Sequence, residues 1–190
     1  MFVVNWPLSG HNLAALEPFM RALILSLTLV LILGLGTAHS APVKTHLPGD
    51  LTLEEAQTIL TAALHKAKSI GIPMNIALVD AGGNLKIFAR EDGAFLGSID
   101  IAKKKAITAR FFNMPTSELG TSAQPGKELF GIEATNDGLV IFGGGELLER
   151  DGVIVGAIGV SGGSVMDDTA VAKAGAAALQ ASSTSFKKSF

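Results

Sequence analysis

The chain has 190 residues, enough for one domain plus a leader, carries a net charge of −2 and contains no cysteine. That balance gives no electrostatic reason to expect a nucleic-acid partner. The run Lys103-Lys104-Lys105 is too short to track a phosphate backbone and reads as a solvated helix face. The absence of cysteine excludes a disulfide framework, thiolate metal sites and cysteine nucleophiles.

Residues 22–35 are apolar apart from Ser26, Thr28 and Gly34. As a helix they extend roughly 21 Å at about 1.5 Å per residue, short of a hydrocarbon core of about 30 Å. With Met20-Arg21 before them and Ala38-His39-Ser40 ahead of Ala41, they read as a secretory signal peptide starting at Met20 rather than an anchor. Residues 1–40 are then removed and the mature chain is 41–190, exported to the periplasm or beyond, with no stable membrane anchor. Cleavage removes Trp6, the sole tryptophan, and the chain has no tyrosine.

Residues 41–50 read as a flexible lead-in. Thr52 and Glu55 form a capping box, and Leu53, Ala56, Leu60, Ala63, Leu64, Ala67 and Ile70 follow helical spacing until Gly71 and Pro73. The apolar runs 76–79 and 85–89 flank Asp80-Ala81-Gly82-Gly83-Asn84, a hairpin whose glycines supply positive φ. A second helix spans 98–112, Pro115 opens a short helical turn, and 120–137 form a loop. Runs at 139–142, 146–149 and 153–160 predict three strands turning at Gly143-Gly144-Gly145 and Asp151-Gly152. A last helix, capped by Asp167 or Asp168, runs through Ala178. The expected architecture is a single domain over 51–182, of α/β composition and α+β type, with a 183–190 tail. Its core is a five-stranded, mainly antiparallel sheet packed by helices.

Several motifs bear on chemistry. Gly159-Val160-Ser161-Gly162-Gly163 matches the pattern of a nucleophile elbow, but no histidine follows it, so a strand ending in a glycine turn accounts for it better. The triple glycine lacks the Lys-Ser/Thr of a phosphate loop and reads as a turn. His46 and His65 lack zinc-site spacing. Asp80, Asp92 and Asp100 suit turns and a helix N-terminus better than acid–base work, so no catalytic residue is assigned. Arg90, Lys105 and Arg110, with Phe95, Phe111 and Phe112, offer the cations and apolar surface that a haem needs for its propionates and ring; solvated cations and core phenylalanines are the simpler account of the same residues.

From residue 51 to about 180 the sequence resembles the GlcG/HbpS family, also seen as a domain appended to PduO-type cobalamin adenosyltransferases. The resemblance rests on Leu51-Thr52-Leu53-Glu54-Glu55-Ala56, Ala77-Leu78-Val79-Asp80-Ala81-Gly82-Gly83-Asn84-Leu85, Asp92-Gly93-Ala94, and Ser98-Ile99-Asp100-Ile101-Ala102 with Lys105-Ala106 and Thr108-Ala109. Pro115-Thr116-Ser117-Glu118-Leu119 and Val155-Gly156-Ala157-Ile158-Gly159-Val160-Ser161-Gly162 complete it. It departs at Asn84, where many relatives have histidine. The resemblance implies a helix–sheet fold, homo-oligomers (octamers in the HbpS branch) and haem binding for handling or redox sensing without strong catalysis. It further implies Thr116 as an iron ligand, with Arg90, Lys105 and Arg110 at the propionates. Two alternatives follow from it. One is an enzyme or accessory subunit acting on a small oxidised metabolite in glycolate or alcohol oxidation, with Asp80 and Lys105 as acid–base groups. The other is a corrinoid-binding module.

Overall fold

The computed structural model describes residues 49–187; the segment read as a signal peptide and His46 lie outside them. Helix α1 (Leu53–Ile70) begins at the predicted capping box. The Thr52 hydroxyl accepts from the Glu55 N–H at 3.1 Å, while the Glu55 carboxylate accepts from the Thr52 N–H at 2.9 Å. Gly71, at φ +81°, ends it in the left-handed conformation that glycine adopts without penalty. Strands β1 (Asn75–Asp80) and β2 (Leu85–Arg90) form the predicted hairpin. Asp80 serves its turn by accepting from the Gly82 and Asn84 N–H groups, both at 2.9 Å. Helix α2 (Ser98–Phe112) has the expected bounds, and α3 (Thr116–Ser122) opens after Pro115. Strands β3 (Gly145–Arg150) and β4 (Val153–Ser161) and helix α4 (Val165–Lys187) complete the order. None of these helices is long and apolar enough to cross a membrane.

The described residues contain four paired strands, in the order β2-β1-β4-β3 and all antiparallel, rather than the five expected. The missing strand is 139–142. Its backbone bonds to side chains instead of a neighbouring strand: the Val140 N–H donates to the Thr108 hydroxyl at 3.1 Å, and the Phe142 carbonyl accepts from the Thr116 hydroxyl at 2.7 Å. A Cβ at Gly120 of α3 would collide with the Ile141 carbonyl, so this run is held between helices. An apolar run alone does not separate a buried strand from such a segment. A second correction concerns α4, whose cap is Ser164: its hydroxyl accepts from the Asp167 N–H at 3.2 Å and donates to the Asp167 carboxylate at 2.7 Å.

The sheet is covered on both faces. Ile76 and Leu78 of β1 pack with Ile59, Ala63 and Ala67 of α1 and Val171 and Leu179 of α4. The alternate residues Ala77 and Val79 meet Ala102, Ala106 and Ala109 of α2. Val155 joins the first cluster out of phase with Ile158 and Val160 because the register shifts beside it: Leu148 pairs with Gly156, Glu149 with Ile154.

Candidate functional site

The α2 face of the sheet is built from small residues, and this sets the distance at which everything else is placed. A Cβ at Gly159 would run into the Ala102 carbonyl and the Ala106 N–H, so the backbone of α2 rests directly on β4. Lys105 sits on that same buried face and is 0% exposed. Its ammonium donates to the Val160 carbonyl at 2.8 Å and to Asp168 Oδ2 of α4 at 2.7 Å, with the Phe142 ring centroid 4.8 Å away. Burial holds the Lys105 pKa below its ordinary 10.5, opposed by the hydrogen bond and charge of Asp168. The other Asp168 oxygen accepts from the Gly163 N–H at 2.9 Å. One ion pair thus ties α2, the end of β4 and the start of α4 together.

The triple glycine wraps over this pair. Gly144 has φ +110°, and a Cβ there would lie 2.7 Å from Lys105 Nζ and 2.8 Å from the Val160 carbonyl. The Gly144 carbonyl accepts from the Val160 N–H at 2.8 Å, extending the β3–β4 ladder. Thr116, fully buried, clamps the same turn, donating to the Phe142 carbonyl and accepting from the Gly145 N–H at 3.0 Å. Its one proton and one of its two lone pairs are used there and the residue is 0% exposed, so an iron-ligand role requires this turn to open.

Around this buried frame, one end of the sheet exposes apolar side chains. Asn75 of β1 pairs with Ser161 of β4 and Arg90 of β2, and its amide donates to the Phe95 carbonyl at 3.0 Å. Phe95 and Leu96 are 70% and 72% exposed, and Met166, just past β4, is 83% exposed. Phe142 and Val165 are also exposed. Asn75 Oδ1 is buried with no donor, an orphaned acceptor beneath this surface. Arg90 is exposed beside it and reaches the Ala94 carbonyl only at 3.4 Å.

The expected site residues therefore separate. Lys105 and Thr116 meet at the glycine turn and Arg90 lies at the adjacent sheet end. Arg110 sits at the far end of α2, bonded to Asn113, with its Nε buried and unpartnered. From Ser98 to Arg110 a helix rises roughly 18 Å, so Arg90 and Arg110 do not converge. Phe111 belongs to the far end too, packing where a Cβ on Gly83 would stand. The lysine run is not uniformly a solvated face: Lys103 lies over the Phe88 ring and Lys104 pairs with Asp100 at 3.0 Å, while Lys105 is buried. The helical register held the signal, since Lys105 stands three residues after Ala102 and four before Ala109. The sequence reads Asp168 as a helix cap and Gly144 as part of a turn and leaves Asn75 unassigned, because their roles here depend on contacts across the fold. His65 is exposed on α1, and no described group of three or more His, Cys, Asp or Glu could hold a metal.

Comparison with known proteins agrees with this frame. An uncharacterised 15.0 kDa protein of Citrobacter freundii, from the dhaT-dhaS intergenic region, is 40% identical over 65% of this chain and 87% of its own length. The corrinoid adenosyltransferase PduO of the same organism is 38% identical over 68% of this chain, which spans only 39% of that protein. A crystal structure of the PduOC:heme complex superposes with a TM-score of 0.66 at 38% identity, covering 68% of this chain and 94% of the other. The model of the family described as haem degrading protein HbpS-like matches residues 51–177, and the chain belongs to that family.

Proposed function

We propose that this chain is an exported, homo-oligomeric haem-binding protein that handles or senses haem without strong catalysis of its own. The observation that carries the binding reading is the apolar surface of Phe95, Leu96, Phe142, Val165 and Met166 at one sheet end, with Arg90 at its border. Exposed apolar surface of this kind marks a ligand or partner site. The residues fit a haem: aromatic and aliphatic side chains for the ring, and the exposed Arg90 guanidinium for a propionate. Bound haem would supply redox-active iron. The chain's own part is to hold it: Arg90 meets a propionate, while Lys105, Asp168 and Thr116 fix the wall that carries Phe142. Arg110, at the other end of α2, takes no part in the same site. The haem complex of the similar PduO domain supports the reading, and the apolar stretch 22–35 supports export.

The test is a hemin titration of residues 41–190 followed at the Soret band, with mass read by sedimentation. A saturable shift at a fixed haem-to-subunit ratio is expected. Phe95→Ser with Leu96→Ser, and separately Arg90→Ala, should weaken it at least about tenfold, the loss of one buried apolar contact or charged hydrogen bond. Arg110→Ala should leave it unchanged. A featureless titration of folded protein, or binding indifferent to Phe95 and Leu96, overturns the assignment; saturation by a corrinoid and not by hemin moves it to the corrinoid reading.

A further inference from the structure

β3 ends the sheet, and beside it lies an open pocket of about 310 Å3 lined by Pro115, Glu146, Leu147, Glu149, Lys173 and Ala177, among others. Strand alternation turns Leu147 toward α2 and Leu148 toward the α1–α4 core, so Glu146 shares the α4 side. Glu146 is only 8% exposed, and among the described residues the one charge that acts on its carboxylate is that of Lys173. Burial pushes its pKa above the ordinary 4.5, and the charge of Lys173 offsets that only in part. A desolvated carboxylate is costly to hold, and it becomes favourable when a cation arrives. The lining carries two carboxylates and one ammonium, a net charge of −1, and its walls at Pro115, Leu147 and Ala177 are apolar. Two carboxylates beside a lysine make a poor cage for a divalent metal, which asks for more oxygen ligands. The volume also falls well short of a tetrapyrrole site.

We propose that this pocket binds an organic monocation, an ammonium or guanidinium on a short alkyl stem, with Glu146 as the buried acceptor and Glu149 at the rim. The site is separate from the proposed haem surface and independent of it. The cation comes either from a free amine or from a lysine or arginine side chain of another chain, and the chemistry of recognition is the same.

The experiment titrates 15N-labelled residues 41–190 with n-butylammonium and with n-butylguanidinium, using n-butanol as the neutral control. Saturable shifts are expected at residues 146–149 and 173–180 with the cations only. Glu146→Gln, which removes a buried charge and so keeps the fold, should weaken binding at least about tenfold, and Lys173→Met should tighten it. Sedimentation equilibrium separates the sources. A mass that falls on adding n-butylammonium and in Glu146→Gln identifies a side chain of a second copy, and a constant mass identifies a free ligand. No saturable shift with either cation, shifts matched by n-butanol, or equal affinity in Glu146→Gln overturns the proposal.

Discussion

Replacing Lys105 by methionine keeps most of the buried stem and deletes the ammonium, leaving Asp168 as a buried carboxylate whose remaining donor is the Gly163 N–H. Breaking a buried pair from one side costs about 3–5 kcal/mol, because the surviving charge is uncompensated. The Val160 carbonyl loses a donor as well. For a domain of this size each kcal/mol moves the melting temperature by about 3 °C, so Lys105→Met should melt about 10–15 °C lower. Adding Asp168→Asn removes the stranded charge while keeping an oxygen for the Gly163 N–H. The double variant should therefore recover at least about half of the loss, a coupling of roughly 2 kcal/mol. The assay is thermal and urea unfolding by far-ultraviolet circular dichroism, since the only tryptophan is Trp6 and there is no tyrosine. A Lys105→Met variant within about 1 kcal/mol of wild type, or a double variant whose loss equals the sum of the single losses, refutes the account of Lys105 as a paired buried cation.

Gly144→Ala should be destabilising by more than about 2 kcal/mol, combining left-handed strain with overpacking against Lys105 and Val160. Gly126→Ala, at φ +81° with nothing within 4 Å, should cost only about 1 kcal/mol, and urea midpoints of the two compare them directly. The pH dependence has two opposing parts. For Glu55, burial raises the carboxyl pKa, but bonds from Arg150, the Thr52 N–H and the Thr52 hydroxyl outweigh it, so the folded value lies below 4.5. Its stabilisation is complete above the unfolded pKa and is lost as pH falls through the folded one, so Glu55→Gln should flatten the acid limb of a urea-midpoint profile. Glu146, held above 4.5 by burial, has the reverse sign. Its contribution is present below 4.5 and lost as pH rises through the folded pKa, so Glu146→Gln should raise the urea midpoint at neutral pH and leave it unchanged in acid.

Much of the fold was legible because local chemistry and tertiary need agree. The Thr52–Glu55 box, the Gly71 stop, the Asp80–Asn84 turn and the 98–112 helix are each specified by residues within one turn of one another. The strand count failed at 139–142, where β-type composition reports burial and says nothing of which backbone groups pair. Thr108 and Thr116, on two different helices, answer that question, and neither adjoins the run in sequence.

The arrangement of the nominated residues was not legible in the sequence, and the reason is electrostatic. Charged residues were read as surface groups because isolated charges rarely survive burial. That prior fails for a charge whose partner lies 63 residues away, as Asp168 does from Lys105. Once Lys105 is buried, Thr116 and the triple glycine follow as its enclosure, and the cations expected to converge on one ligand are left apart. Only Arg90 remains at the exposed apolar end. Phe142 is 43% exposed there and its ring lies over the Lys105 ammonium, so a ligand held on the proposed surface would meet a side chain that Lys105 supports. The buried pair thus supports the binding surface from beneath, and Lys105→Met should loosen ligand affinity at a surface it never touches. Lys105→Arg, too large for the space beneath Gly144, should not restore it.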